Sequence, residues 1–259
     1  MFSPSRPVFV PSDYTVRPVK EADAKAFILA HHYSHSYPSA RFRVGLFRAS
    51  DDNLVGVAVF SVPMHQAVIP RWTGLPTEKG VELGRLVVLD EVGFNAETWF
   101  LARAFRLLAD ALPEVEAVMS CADPEPRYAL DGSCILVGHV GTIYKALNGR
   151  YVGRTGSRWI LLAASGEIVP PRAISGSLKG DIKKYAEPLL VRLGAPPREE
   201  AEGWTDYIRR VRASGAFRKV KHPGNHVYVW PTKNATKATI KGLPPALPYP
   251  LPNSAPRKL

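Results

Sequence analysis

A run of polar residues near the N-terminus could carry acid–base chemistry. Tyr33 lies in His31-His32-Tyr33-Ser34-His35, directly after a predicted helix, and a phenol beside a cleft can orient or protonate a reacting group. The three histidines also suggest a metal, but no carboxylate follows them in the spacing of known sites. The sequence therefore favours a structural or substrate-facing role for this run over metal binding.

Charged and hydroxyl side chains stand on or after two predicted strands. Arg85 lies among Leu and Val residues, where a charge is costly unless it is paired. Two roles are open for it: a buried ion pair with Glu82 or Asp123, or a clamp for a substrate carboxylate or phosphate. Ser120 and Asp123 end another strand. Asp123 could accept a proton from an exocyclic amine or bind a cosubstrate, although it also begins an Asp-Pro-Glu-Pro run typical of turns.

Tyr144 lies in a predicted short helix, where a tyrosine is commonly a core aromatic residue. Ile143 and Leu147 can supply the core face of this helix instead. The sequence thus leaves two roles for Tyr144, one in the core and one in a site.

The elements that must position these residues alternate between strands and helices. Apolar spacing and turn residues predict strands at 14–19, 42–48, 54–62, 81–89, 115–120, 135–137, 151–152 and 158–163, and helices from 21, at 96–112 and at 142–147. This order predicts an α/β (α+β) fold with a mixed, mostly antiparallel sheet and flanking helices.

The sequence changes character after residue 164. Pro-Pro and Ser-Gly-Ser pairs suggest a linker, helices are predicted at 179–193 and 199–214, and the last 25 or so residues are predicted to be an extended tail. We therefore predict a catalytic domain at 1–164 and a basic helical extension with a tail at 165–259, either separate from the first domain or packed on it.

The positive charge is confined to this second part. Residues 1–164 contain 17 Lys and Arg against 16 Asp and Glu, whereas residues 165–259 contain 17 against 7, so the net charges are +1 and +10. From Tyr207 onward there is no Asp or Glu at all. One-sided charge over so long a stretch, interleaved with aromatic residues, favours nucleic-acid binding over a merely solubilising surface.

A basic, aromatic segment surrounds Pro223 and Gly224. We predict a hairpin-like unit there, with phosphate contacts from lysines and base stacking by Tyr228 or Trp230. Its candidate substrate-binding residues are Lys219, Lys221, Asn225, His226 and Tyr228, with His222 beside them.

Several function classes receive no support. No apolar run is long enough to span a membrane, and the N-terminus has no signal-peptide core. Two cysteines form neither a disulfide framework nor a zinc-binding spacing. We expect a soluble, cytoplasmic protein.

Several ordered segments resemble those of a known family. They are Ala30–Ser34, Glu82–Leu86, Gly93–Leu101, Ser120–Asp123 and Gly138–Gly153. In these the chain resembles the Mom family of bacteriophage DNA-modification proteins, a divergent branch of the GCN5-related N-acetyltransferase fold. The resemblance implies transfer of a carbamoylmethyl group to N6 of adenine in phage DNA, which blocks host restriction, in the host cell cytoplasm.

The resemblance also implies a set of site residues. In this fold an acyl donor lies between a fourth and a fifth strand, with its pyrophosphate on the N-terminus of the next helix. The cofactor-binding residues implied here are Leu86, Val88, Phe94, Asn95, Ala96 and Glu97, for an acyl donor such as acetyl-CoA, and iron is a further possible cofactor. The usual phosphate loop is replaced by a segment in which Asp90 and Glu91 precede Gly93.

The implied catalytic residues are Tyr33, Asp123, Ser120, Tyr144 and Arg85, with His32 and Tyr37 as substrate-binding residues. Tyr37, Phe94 and Trp72 are candidates to line a pocket for a flipped base. Two other functions stay open: an acyl-CoA-dependent N-acyltransferase acting on a protein or small amine, and a DNA-binding protein without catalysis. The oligomeric state, including a homodimer, is also left open.

Overall fold

The structure is a computed structural model that describes residues 7–178 and 185–251. The chain forms two compact units. The described part of the first comprises residues 7–123, 140–154 and 225–251, and that of the second comprises 124–139 and 155–224 without 179–184. Residues 179–184, the start of one predicted helix, lie outside the described residues.

Numbered along the chain, the described strands are β1 (Tyr14–Pro18), β2 (Ala40–Arg48), β3 (Leu54–Ser61), β4 (Gly80–Val88), β5 (Ala117–Ala122), β6 (Arg127–Tyr128), β7 (Cys134–Leu136), β8 (Arg150–Arg154), β9 (Arg158–Ala163), β10 (Phe217–His222) and β11 (His226–Pro231). The described helices are α1 (Glu21–His31), α2 (Val68–Thr73), α3 (Ala96–Ala111), α4 (Thr142–Ala146), α5 (Pro171–Leu178), α6 (Ala186–Arg192), α7 (Trp204–Ala213) and α8 (Lys237–Gly242).

The first unit is built on a seven-stranded sheet in the order β1-β2-β3-β4-β5-β11-β8. Every neighbouring pair of described strands in it is antiparallel except β4 and β5. The predicted fold class, a mixed and mostly antiparallel sheet with flanking helices, is confirmed.

Helices cover both faces of this sheet because each has one apolar side. On α3, Phe100, Leu101, Ala104 and Leu108 are fully buried, and they pack in one core with Tyr144 of α4. On the opposite face, α1 buries its apolar residues against β2 and β3. The C-terminal end of α1 and the N-terminal end of α3 therefore both lie near the strand β4.

The strands β4 and β5 pair over only three residues. Gly80, Val81 and Glu82 lie opposite Ala117, Val118 and Met119, and the pairing stops there. On its other edge, β4 carries one extra residue, Gly84, between those paired with Phe60 and Val59 of β3. A side chain at Gly84 would collide with Ser61 Oγ unless that hydroxyl rotated, so glycine fits this bulge without disturbing Ser61.

The predicted hairpin around Pro223 is wrong. β10 pairs with β9 in the second unit, whereas β11 lies between β5 and β8 in the first. The reason is hydrophobic burial, because Val227–Trp230 of β11 are at most 4% exposed. The boundary predicted at residue 164 consequently does not coincide with the division seen in the structure, where strands from beyond it complete the first sheet.

In the residues that the structure describes, the second unit contains two short ribbons and three helices. Its ribbons are β9–β10 and β6–β7, both antiparallel. Helices α5, α6 and α7 enclose an apolar core whose centre is Leu190, Tyr207, Ile208 and Val211. In the described part of the chain, no helix is long and apolar enough to cross a membrane.

Replacing Trp230 by alanine tests whether β11 is part of the core. Trp230 is 4% exposed, and its indole Nε1 donates to Leu147 O at 3.0 Å. We expect Trp230→Ala to lower the free energy of unfolding by about 3–5 kcal/mol in urea titrations. The matched control Trp159→Ala removes a ring that is 60% exposed and should cost less than about 0.5 kcal/mol. Equal costs for the two variants would contradict the placement of β11.

Candidate active site

A buried polar cluster marks the point where β4 leaves β5. Ser120 Oγ lies 3.0 Å from Leu83 O and 3.0 Å from the Tyr144 hydroxyl. The Ser120 hydroxyl is the donor in both contacts, so its one proton is shared between Leu83 O and the Tyr144 phenol oxygen. This cluster joins both strands to α4 at the start of the opening.

Tyr144 combines the two roles that the sequence left open. Its ring packs at 5.4 Å from Tyr228 and 5.5 Å from Trp230, so the residue belongs to the core. Its hydroxyl reaches the cluster at Ser120. Burial raises the pKa of Tyr144 well above its ordinary value, the hydrogen bond with Ser120 offsets part of this effect, and the nearby Tyr33, Cys121 and Glu82 add to it. Tyr144 is therefore held protonated and can act as a proton donor.

A carboxyl group lies at the same opening on β4. Burial raises the pKa of Glu82, and the positive charge of Arg85 offsets part of this effect. Within the described residues, no hydrogen bond or ion pair to the Glu82 carboxylate is found. A carboxyl group with a raised pKa is a typical general base, because its pKa lies closer to neutral pH and it accepts a proton more readily than an exposed carboxylate.

Arg85 fastens the segment after α1 to β4. Its Nε and Nη2 donate to Ser36 O at 2.9 Å and to Ser36 Oγ at 2.7 Å, and Nη1 donates to Gly84 O at 2.5 Å. Among the described residues it forms no ion pair with Glu82 or Asp123. The predicted ion pair is therefore absent from this part of the chain, and Arg85 positions the segment that carries Tyr33.

A cavity of about 300 Å³ lies at β4 and α4, the elements that carry Leu83 and Tyr144, although Ser120, Tyr144, Glu82 and Arg85 are not among the described residues that line it. It is lined by His31, His32, Tyr33, Leu86, Val87, Val88, Glu97 and Ile143. The end of α1, the free part of β4, the start of α3 and α4 thus meet around one space. Three of the predicted cofactor-binding residues and both His32 and Tyr33 line it.

His32 is fixed in one orientation at this cavity. Its side chain is 8% exposed, and its Nδ1 accepts a hydrogen bond from the backbone N–H of Ser34 at 3.1 Å. The Ser34 hydroxyl lies 2.8 Å from the same nitrogen. Because Nδ1 accepts, a neutral His32 carries its proton on Nε2.

The start of α3 has an uncapped N-terminus but acidic surroundings. Asn95 occupies the N-cap position with φ of 66°, and its side chain makes no capping hydrogen bond, so the first-turn N–H groups are not capped by it. The charges oppose a diphosphate: Glu97 lines the cavity, and Asp90 and Glu91 lie in the preceding turn. Arg48 pairs with Glu91 but also with Asp51. The apolar residues Leu86 and Val88 of β4 line the cavity, whereas the carboxylates near α3 disfavour a phosphate there.

The other cofactor-binding candidates have different positions. Phe94 is 41% exposed, and Ala96 is fully buried in the main core. Neither Phe94, Asn95 nor Ala96 is among the described residues that line the cavity. Of this predicted set, Leu86, Val88 and Glu97 are brought to the cavity.

Two predicted base-pocket residues belong to other clusters. Tyr37 packs beside the core under α1, where burial raises the pKa of its phenol. Trp72 of α2 packs with the apolar residues of β5 and β11. Asp123 is 8% exposed and lies one residue beyond β5, outside the residues described as lining the cavity.

The basic, aromatic segment is divided between the units. Tyr228 is 1% exposed, its hydroxyl donates to Val140 O, and burial raises its pKa to about 12. His226 is buried, with Nδ1 at 3.0 Å from the Tyr151 hydroxyl. The predicted base stacking by Tyr228 or Trp230 is therefore wrong, because both rings are core residues. Asn225, half-buried, immediately precedes β11.

Lys219 and Lys221 lie on β10 in the second unit, and both are exposed. Among the described residues, no group of three or more His, Cys, Asp or Glu could hold a metal ion. The iron considered from the sequence thus finds no ligand set in this part of the chain.

Sequence reasoning missed two participants in this site. Glu82 was considered only as a partner for Arg85, although a carboxylate in an apolar strand was itself a signal. The backbone oxygen of Leu83 could not be found from residue types at all. Both belong to β4 at the point where its pairing with β5 ends.

The described strands of this sheet include one parallel pair, β4 and β5, which separate at the polar cluster. This arrangement defines the class of the protein as a GCN5-related N-acetyltransferase-like fold. Similar solved structures include the ribosomal-protein-S5-alanine acetyltransferase from Vibrio fischeri, with 12% identity and a TM-score of 0.37 over 58% of this chain and 85% of that one. A tandem GNAT protein from the clavulanic acid biosynthesis pathway has 9% identity and a TM-score of 0.42 over 86% and 99%. Spermidine N-acetyltransferase from Vibrio cholerae, in complex with CoA and spermine, has 12% identity and a TM-score of 0.34 over 56% and 85%.

The sequence profile of the Mom protein family matches residues 13–251, and the chain belongs to this family. A search of curated proteins finds no match.

The raised pKa of Glu82 predicts a pH-dependent stability. Folding raises this pKa above its ordinary value of 4.5, so the folded state binds the proton more tightly than the unfolded chain. The wild type therefore loses stability as the pH rises from about 4.5 through the raised value. Glu82→Gln lacks this loss, and its Tm relative to wild type should increase between about pH 4 and pH 8.

Thermal unfolding at several pH values measures this difference. Glu78→Gln, which removes an exposed carboxyl from the turn before β4, is the matched control. A Tm difference for Glu82→Gln that does not change with pH would contradict the burial of this carboxyl.

Proposed function

We propose that this protein is a DNA-modifying transferase that adds a carbamoylmethyl-type group to the N6 amine of adenine in phage DNA, protecting that DNA from host restriction. The observation that carries the proposal is the polar cluster of Ser120, Leu83 O and Tyr144 at the opening between β4 and β5, with the Glu82 carboxyl close enough to affect the pKa of Tyr144. Membership in the Mom family supplies the substrate class. A protein with this substrate acts in the cytoplasm of the infected cell.

The transfer needs one proton donor and one proton acceptor. The N6 nitrogen forms a bond to the carbon of the donor, the bond from that carbon to its carrier breaks, and the carrier leaves with the electron pair. Tyr144, which is kept protonated, donates a proton to the leaving atom. Glu82 accepts the proton that N6 loses, and Asp123 is the alternative acceptor at the end of β5.

An adenine inside a duplex cannot reach such a site. The base must leave the stack, or the DNA must be locally single-stranded. The cavity of about 300 Å³ can hold one base together with the reactive end of the donor, and Tyr33 and His32 contribute rings to its wall. Arg85 supports this wall through its hydrogen bonds to Ser36. We therefore assign Tyr33 and His32 to the binding of the base.

The donor enters along the free edge of β4, where Leu86 and Val88 line the cavity, and its methylene carbon bears the leaving group that N6 displaces. Acetyl-CoA bound there, with its phosphates on the first turn of α3, would instead give an N-acetylated amine, so it is the donor of the second candidate function. The second candidate function, an acyl-CoA-dependent N-acyltransferase for a protein or small amine, uses the same opening. The carboxylates of Glu97, Asp90 and Glu91 count against it.

Mass spectrometry of nucleosides from co-expressed plasmid DNA tests the proposed function. We expect a modified adenosine with wild-type protein and at least about a 100-fold loss with Tyr144→Phe, because the proton donor is removed. Tyr14→Phe, which alters a tyrosine in β1 at the sheet edge, is the control and should modify DNA like wild type. Unmodified adenosine with soluble wild-type protein would contradict the proposal.

Calorimetry with acetyl-CoA tests where the donor of the second candidate function lies. Removing a like charge near a phosphate is worth roughly 1 kcal/mol, so Glu97→Gln should bind acetyl-CoA about 5-fold more tightly than wild type. Glu78→Gln again serves as the control and should leave the affinity unchanged. Equal affinities for wild type and Glu97→Gln would mean that the diphosphate does not rest on α3.

A further inference from the structure

An exposed tryptophan lies among cations on the ribbon β9–β10. Trp159 pairs with Lys221 across the two strands, and Leu161 pairs with Lys219, so these four side chains share one face. Trp159 is 60% exposed, and Lys219 Nζ lies 4.8 Å from the centre of one of its rings. A large aromatic ring left in water beside two ammonium groups has no role in the packing of this unit.

The cations of the ribbon differ from three arginines of the second unit. Arg192, Arg209 and Arg210 form ion pairs with Glu167, Asp206 and Glu202. Arg158, Lys219 and Lys221 are exposed, and within residues 7–178 and 185–251 no carboxylate pairs with them, as is also true of Arg212 on α7. The ribbon therefore offers several cations to a polyanion at one place.

Only some of the cations in the acid-free stretch from Tyr207 onward are available to a polyanion. The acid-free stretch from Tyr207 onward begins in α7, where Arg209 and Arg210 are neutralised by carboxylates that precede it in sequence. Its lysine Lys233 pairs with Asp110. Net charge along the sequence thus overstates how much of this stretch can contact phosphates.

We propose that the ribbon binds single-stranded or locally opened DNA, with Trp159 stacking on an exposed base while Lys219 and Lys221, on the same face, contact the flanking phosphates. An aromatic ring between cations is the usual platform for unpaired nucleic acid. The Lys219 ammonium over the ring helps to hold the Trp159 side chain on the surface. The same ammonium can donate hydrogen bonds to a phosphate. This inference rests on the proposed function for the identity of the polyanion.

Fluorescence anisotropy with a labelled single-stranded oligonucleotide tests the ribbon. We expect Trp159→Ala to weaken binding about 5-fold to 100-fold, and Trp159→Phe to stay within about 3-fold of wild type, because a ring is retained. The double variant Lys219→Ala/Lys221→Ala should reduce the slope of log K against log salt by about 1.4. Arg209→Ala is the matched control, because it removes a cation that is already paired, and should leave the affinity within about 2-fold.

Wild-type affinity in Trp159→Ala would overturn the assignment of the stacking residue. An unchanged salt slope in the lysine variant would overturn the phosphate contacts. Failure of the proposed function looks different: the oligonucleotide would bind through Trp159 while cellular adenosine stayed unmodified. Conversely, DNA modification that persists with normal oligonucleotide affinity in Trp159→Ala would overturn this inference alone.

Discussion

The parting of β4 from β5 after three paired residues is the constraint on which the site depends. Once β4 bulges at Gly84, its backbone no longer meets that of β5, and Ser120 bonds Leu83 O from across the gap. Tyr144 completes the contact from α4. The opening is thus stabilised by hydrogen bonds that replace a sheet ladder, and it leaves a strand edge free for a ligand.

The same opening shifts the protonation of the groups around it. Burial favours the neutral forms of both Tyr144 and Glu82, since a charged group loses hydration there. Tyr144 is consequently a donor, and Glu82 has a higher proton affinity than an exposed carboxyl. One acid and one base of this kind are what transfer to a weakly nucleophilic amine requires. Arg85 supports them by holding the segment with Tyr33 in place.

Local patterns predicted most of the first unit because its strands and helices follow their apolar periodicity, as α3 shows. The position of β11 could not be predicted, since pairing between residues 117–122 and 226–231 is a long-range choice that local propensity does not encode. Burial also removed Tyr228 from the predicted binding residues. At the site, Ser120 and Tyr144 were predicted from their positions, and the structure brings their hydroxyls within 3.0 Å, whereas the backbone oxygen of Leu83 leaves no sequence signal. The net charge of the C-terminal part overstated the positive charge that is free to bind phosphates, because Arg210 forms an ion pair with Glu202, a residue before the acid-free stretch.

Disulfide cross-linking to a thioalkyl group on adenine N6 tests most directly whether this base reaches the opening. Cys121 follows Ser120 on β5 and is half-buried, whereas Cys134 is an exposed thiol of the second unit. An oligonucleotide carrying the modified adenine should cross-link to the Cys134→Ser variant, which keeps Cys121, and not to Cys121→Ser. Cross-linking that depends on Cys134 alone, or none with either variant despite normal DNA binding, would contradict the placement of the adenine amine between β4 and β5.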